Sequence, residues 1–155
     1  MTRMVRWALV SSLCWAALLT AAVRGDEAMY VGGTISAVPQ RTEGRLEVGR
    51  DICFKSEQGQ FSIAFEKVLS LEYGQKVGRR VATAVTVTPF MLLSKKRKHF
   101  LTIGFEDGAG QRQGAVLELS KNQVFKVLPR IEELSGKRIE FESADAQRQF
   151  EKEAH

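Results

Sequence analysis

The sequence of 155 residues has only two cysteines, two histidines and three prolines. It is therefore poor in residues that form disulfides, bind metals or act as nucleophiles and bases. Cys14 lies inside an apolar run near the N-terminus, so Cys53 has no intramolecular disulfide partner once that run is removed. Metal centres usually combine several cysteine, histidine or carboxylate ligands at a recognisable spacing. No such spacing occurs here, and the composition therefore predicts neither a metal site nor a bound cofactor.

The same scarcity weakens every catalytic interpretation. A nucleophilic Cys53 would need a histidine base, and the sequence offers only His99 and the terminal His155, neither of them near it along the chain. The closely spaced carboxylates are Glu43, Glu47 and Asp51. They are spaced as exposed strand or turn residues, so they do not indicate a paired-carboxylate hydrolase. We expect no catalytic residues and a protein that is not an enzyme.

The N-terminus has the order of a secretory signal. The first six residues carry two arginines and no acid, Trp7 to Val23 is apolar, and small residues then precede the first acid, Asp26. This order predicts a cleavable signal peptide over residues 1–25, with cleavage after Gly25 or Ala22. The protein is then exported to the periplasm or the extracellular space. The alternative is an uncleaved membrane anchor, because the apolar run is about the shortest that spans a bilayer.

Positive charge is concentrated in one part of the chain. The formal net charge is +5, and the signal region contributes three of the arginines. The stretch from Gln75 to Lys98 contains no acid. Its bases are Lys76, Arg79, Arg80, Lys95, Lys96, Arg97 and Lys98. The rest of the exported chain is therefore net acidic, and this asymmetry is the main electrostatic feature of the sequence.

Alternating apolar and polar residues predict a mainly β fold. The predicted strands are Met29 to Val38, Gly44 to Val48, Asp51 to Lys55, Phe61 to Phe65, Val68 to Tyr73, His99 to Glu106 and Gly114 to Leu119. Gly32 and Gly33 predict a bulge or a close approach of two backbones in the first strand. Asp107 to Gly110 is typical of a hairpin turn.

One helix follows the strands. Apolar residues from Val124 to Leu134 recur at helical spacing. Ser120 and Gln123 have the spacing of a capping box, and Gly136 is placed as a helix-ending glycine. Pro129 predicts a kink within a single helix.

After the helix, Arg138 to Glu142 predicts a short last strand. Residues 143–155 form a polar tail, for which a helix and a disordered segment are both open. We predict one β-domain over residues 26–142.

This order resembles a PH-like (pleckstrin-homology/GRAM-type) barrel in a small exported bacterial protein. The resemblance rests on the strand pair Phe61 to Tyr73, the hairpin His99 to Leu119, and the helix Val124 to Leu134 with Ser135-Gly136. It implies a mainly β fold in which two antiparallel sheets are capped by one C-terminal α-helix. It also implies ligands such as lipid headgroups, peptides or other proteins. A phosphoinositide site is not expected, because the first hairpin loop, Pro39 to Glu43, holds only Arg41.

One segment stands out, the apolar stretch Val81 to Leu93, with bases on both sides. It is either a buried element whose ends are kept soluble by charge, or an exposed excursion that contacts an anionic membrane or a partner protein. The candidate interaction surface consists of Arg79, Arg80, Phe90, Met91, Lys95, Lys96, Arg97 and Lys98.

The resulting functional hypothesis is a binding or interaction module in the cell envelope, with an envelope protein or an anionic membrane surface as partner. A small-molecule carrier or enzyme that uses the barrel interior is the rival hypothesis. We expect no nucleic-acid partner, because the run Lys95 to Lys98 has no interleaved aromatic residues. The oligomeric state stays open.

Overall fold

The computed structural model describes residues 27–75 and 99–154, which fold into eight strands, a short 3-10 helix and two α-helices. The strands are β1 (Glu27–Gly33), β2 (Thr42–Val48), β3 (Asp51–Ser56), β4 (Gly59–Ala64), β5 (Val68–Gly74), β6 (His99–Glu106), β7 (Arg112–Leu119) and β8 (Ile139–Phe141). The 3-10 helix is Phe65–Lys67, and the α-helices are α1 (Lys121–Ser135) and α2 (Ala144–Ala154). The prediction of a mainly β fold is confirmed.

The strands form one mixed sheet in the order β4-β3-β2-β1-β7-β6-β5-β8. All neighbours are antiparallel except β5 and β8, which are parallel. Consecutive strands mostly lie side by side because short turns join them. Two pairings join strands that are not consecutive. One is β5 with β8, and the other is β1 with β7, which joins the two groups of hairpins.

Strand β1 changes its register at a bulge. Tyr30 lies opposite Leu117, whereas Gly32 lies opposite Val116, so one residue between them is extra. A Cβ atom on Gly33 would lie 2.1 Å from the carbonyl oxygen of Gly114. Both the bulge and the close approach predicted from the glycine pair are therefore confirmed.

The main core lies between one face of the sheet and α1. It includes an aromatic trio from three strands: the ring centroids of Tyr30 and Phe61 are 5.3 Å apart, and those of Phe54 and Phe61 are 5.4 Å apart. The apolar stripe of α1 covers this face with Val124, Val127, Leu128 and Ile131. Polar residues alternate with these core residues along β2, β3 and β4, which places the polar residues on the other face. In β1, β6 and β7 a second buried cluster is formed by Val31, Phe100 and Val116.

The two ends of α1 are fixed by specific contacts. The Ser120 hydroxyl accepts a hydrogen bond from the Gln123 N–H at 3.4 Å. The Gln123 amide donates to the Leu46 carbonyl at 3.3 Å and so joins the helix to β2 rather than completing the predicted capping box. Gly136 has φ 65° and donates to the Glu132 carbonyl, as predicted for the helix-ending glycine. Pro129 lies inside one continuous helix.

Three predictions need correction. The first strand ends at Gly33 rather than at Val38, because the chain leaves the sheet and buries the Val38 side chain in the core from a loop. The described sheet does not close into a barrel, since β4 and β8 lie at its two ends. The sheet is also not wholly antiparallel, because the chain returns from α1 in the direction of β5.

The C-terminal region contains a second helix, α2. For residues 143–155 the sequence had left a helix and a disordered tail both open. Ser143 caps α2, its hydroxyl accepting from the Ala146 N–H at 3.1 Å. The predicted last strand is confirmed as β8, although it is only three residues long. The fold therefore ends with two helices rather than one.

Candidate functional site

The eight predicted surface residues, Arg79, Arg80, Phe90, Met91, Lys95, Lys96, Arg97 and Lys98, lie outside the described residues. Their role stays a prediction. The described strands do fix where this segment leaves and rejoins the sheet. Gly74, at the end of β5, lies opposite Phe100, near the start of β6. The described residues on the two sides of the segment are therefore neighbours at one end of the sheet.

A groove of about 1100 Å³ lies along β1 and β2, between the neighbouring ends of β3 and β7. Its charged lining residues are Glu27, Glu43, Glu47, Glu57, Glu118, Arg41, Arg45 and Lys55. Acids thus outnumber bases by two, but both signs are present. We call this surface the charged groove.

The alternation of β2 creates the middle of the charged groove. Leu46 is buried in the core, whereas Arg45 and Glu47 on either side are exposed on the opposite face. The register places Arg45 opposite Glu27 of β1 and opposite Lys55 of β3. Three neighbouring strands therefore contribute charges of both signs to one surface.

One ion pair in the charged groove has close geometry. Lys55 Nζ lies 2.7 Å from Glu47 Oε2, across the β2–β3 pair. This hydrogen bond, together with the charge of Lys55, lowers the pKa of Glu47 and raises that of Lys55. Glu47 consequently stays ionised to a lower pH than an isolated glutamate. Both side chains are about half exposed, so solvent screens their attraction.

An apolar side chain lies between the acids at the centre of the charged groove. Met29 of β1 is half-buried, opposite Glu43 of β2 on one side and Glu118 of β7 on the other. A flexible thioether can pack against side chains of many shapes. The site therefore combines charge with a small apolar contact.

Arg41 occupies an unusual position at the rim of the charged groove. Its φ of 63° is the one positive value among the described residues other than glycine. The Thr42 hydroxyl fixes this turn by donating to the Pro39 carbonyl at 2.7 Å. Left-handed conformations at such residues cost on the order of 1–3 kcal/mol and often occur at functional sites.

The structure does not bring Cys53 and His99 together. Cys53 is a free, half-buried thiol on β3, and strands β2, β1 and β7 separate it from His99 on β6. His99 Nδ1 instead lies 2.6 Å from the hydroxyl of Tyr73. Among residues 27–75 and 99–154, no three histidine, cysteine or acidic side chains cluster so that they could hold a metal ion.

No known family model matches this chain, and no curated protein does either. Among the described helices, none combines the length and the apolar character needed to cross a membrane.

The sequence pattern identified Glu43 and Glu47 as exposed, but it did not place them beside Glu27 and Glu118. That juxtaposition depends on the pairing of β1 with both β2 and β7. The charge alternation along β2 was the available signal for half of the charged groove. Nothing local in the sequence indicates the other half.

Proposed function

We propose that this chain is an exported, non-enzymatic binding module of the cell envelope with a PH-like architecture. The strand order supports this architecture, because β1–β4 and β5–β7 form two consecutive groups and α1 packs on their common core. In a PH-like barrel two such groups form two sheets capped by the helix. The bulge of β1 between Tyr30 and Gly32 is where one group would turn into the other.

The charged groove is the observation that carries the binding function. Its charges are displayed from paired strands, so their spacing is set by the backbone rather than by a flexible loop. Complementary charge selects partners and speeds their association. Because acids outnumber bases in the groove, the proposed partner is an envelope protein that presents a lysine- or arginine-rich segment.

A carrier or enzyme that uses the interior has less support. The described core contains the closely packed rings of Tyr30, Phe54 and Phe61, whose relative exposures are 0%, 0% and 9%. Ligand pockets usually present a few polar groups in an apolar cavity. These packed rings favour a module that binds at its surface rather than in its interior.

Binding of an octalysine peptide tests the charged groove. Replacing Glu27 and Glu43 together by glutamine should weaken binding roughly threefold to tenfold, because each exposed ion pair contributes about 0.2–1 kcal/mol. Binding by the unchanged protein should also weaken as salt is raised. Fluorescence anisotropy with a labelled peptide measures both effects.

The matched control replaces Glu66 and Glu133, two exposed acids outside the groove, by glutamine. It removes the same charge and should leave affinity within about twofold, since distant exposed charges are screened. Equal loss in both double variants would mean that the peptide senses net charge only. That result would contradict a specific site.

Peripheral binding to an anionic membrane through residues 79–98 is the second candidate function. The charge distribution favours it, because that segment is acid-free whereas the described residues hold more acids than bases. Each base close to an anionic surface contributes about 1 kcal/mol. The described residues that flank this segment, Gly74 and Phe100, lie opposite each other.

Co-sedimentation with phosphatidylglycerol vesicles tests the membrane function in the chain that begins at Asp26. Replacing Lys95, Lys96, Arg97 and Lys98 by glutamine should lower the bound fraction at low salt at least about tenfold. The control with the same charge change replaces the exposed Arg50, Arg112, Lys126 and Arg130. If the unchanged chain ignores the vesicles at low salt, the membrane function is wrong.

A further inference from the structure

The C-terminal segment 137–154 is attached along one edge of the sheet. Strand β8 pairs with β5 from Leu71–Ile139 to Tyr73–Phe141, which is three residue pairs. Just beyond the strand, the Glu142 N–H donates to the Tyr73 carbonyl at 3.0 Å. This is the shortest strand pairing in the described sheet and the only parallel one.

Helix α2 adds an aromatic anchor to this attachment. The Phe150 ring centroid lies 5.6 Å from that of Tyr73, 5.3 Å from that of Phe125 and 5.4 Å from that of Phe141. The anchor therefore touches β5, α1 and β8 at once. The other described residues of α2 are exposed or half-buried.

The segment lies at the margin of the core rather than within it. Ile139, Phe141 and Phe150 are partly buried and pack against the outside of the main cluster. Beneath them Leu71 is fully buried and Tyr73 is 6% exposed. Removing the segment would leave the centre of the core intact but would expose the edge of β5, and an exposed edge is a template for another strand.

The turn between α1 and the segment is formed at one glycine. Gly136 has φ 65°, a conformation that other residues disfavour. A Cβ atom at this position would meet no atom within 4 Å. A side chain here would therefore disfavour the sharp turn through backbone conformation alone, without a steric clash.

We infer that residues 137–154 are an exchangeable unit, and that the β5 edge accepts the same segment from a second copy of this chain. A second copy fits because it carries the same residue pairs for β5 and the same Phe150 anchor. The exchange keeps the contacts of each segment and requires only that the turn at Gly136 opens, which is the usual route to a domain-swapped dimer. This surface is separate from the charged groove, so the inference does not depend on the proposed function.

The first test is the variant Gly136→Ala, made in the protein that is purified after expression of the full sequence. The turn opens in both chains of the dimer, so the dimerisation constant should rise about thirtyfold to a thousandfold, since the left-handed conformation is costly for each alanine. Size-exclusion chromatography with light scattering over a concentration series measures the constant. Gly108→Ala is the control, because a Cβ atom there also meets nothing within 4 Å. An unchanged constant in Gly136→Ala would overturn the inference.

The second test asks whether the dimer uses the β5 edge. A labelled synthetic peptide of residues 137–154 is titrated into the unchanged protein and into a Phe141→Ala/Phe150→Ala variant. The variant should bind the peptide at least about tenfold more tightly, because a weakened internal segment competes less at its high effective concentration. A peptide with the same two substitutions should bind neither protein. If the variant, folded by circular dichroism, does not bind the unaltered peptide, the edge is not exchangeable and the inference fails.

Discussion

Replacing Phe54 by alanine is expected to lower the free energy of unfolding by about 3–5 kcal/mol. Phe54 is fully buried on the inner face of β3. Its ring stacks on Phe61 with centroids 5.4 Å apart, and the ring of Tyr30 lies 6.2 Å away and contacts Phe61 as well. Alanine loses the burial of the ring and leaves a cavity among side chains held by three strands, which cannot collapse easily.

Urea unfolding at 25 °C measures the effect of Phe54→Ala by linear extrapolation. The control is Leu69→Ala, since Leu69 is 42% exposed and surface substitutions change stability by roughly 0.5 kcal/mol or less. If Phe54→Ala leaves no folded protein, Phe54→Leu should retain the fold at a cost of about 1 kcal/mol. A loss below about 1 kcal/mol for Phe54→Ala would place this ring outside the core.

Replacing Gly33 by alanine is expected to cost about 3 kcal/mol or more. The new Cβ atom would lie 2.1 Å from the Gly114 carbonyl oxygen and 2.9 Å from the Tyr30 hydroxyl. No rotamer change relieves this contact, because the backbone fixes both the Cβ atom and the carbonyl oxygen. The same oxygen also accepts a hydrogen bond from the Thr34 N–H at 2.9 Å, which holds the two strands together. The clash must therefore separate the end of β1 from β7.

Gly49→Ala is the matched control for Gly33→Ala. A Cβ atom on Gly49 meets nothing within 4 Å, so this change should be neutral or stabilise by up to about 1 kcal/mol through the unfolded state. Urea unfolding of both variants compares them directly. Equal stability of the two variants would show that β1 and β7 do not approach each other closely at Gly33.

Local patterns predicted the elements well because they depend on neighbouring residues. Alternation gave the hairpin strands, and glycine chemistry gave the β1 bulge and the end of α1 at Gly136. The prediction that the first strand extends to Val38 was wrong, because the apolar side chain of Val38 is buried in the core from a loop rather than from a strand. Burial and strand periodicity select the same residue types, so a single valine does not distinguish them.

The candidate site was less predictable because it depends on which strands become neighbours. Periodicity assigns a side chain to a face but does not name the strand that will lie beside it. Glu118 is brought next to Met29 only by the pairing of β7 with β1. The parallel pairing of β8 with β5 likewise depends on the whole fold, because it requires α1 to return the chain to the edge of the sheet.

The joining of β1 to β7 also bears on how the molecule reaches its folded state. The hydrogen bond between Thr34 and Gly114 links residues 80 positions apart in the chain. The β1–β4 meander can form as soon as it emerges during synthesis, but one edge of β1 then stays unpaired until β7 is available. Pairings of such long range slow folding and lengthen the time in which unfinished chains can aggregate.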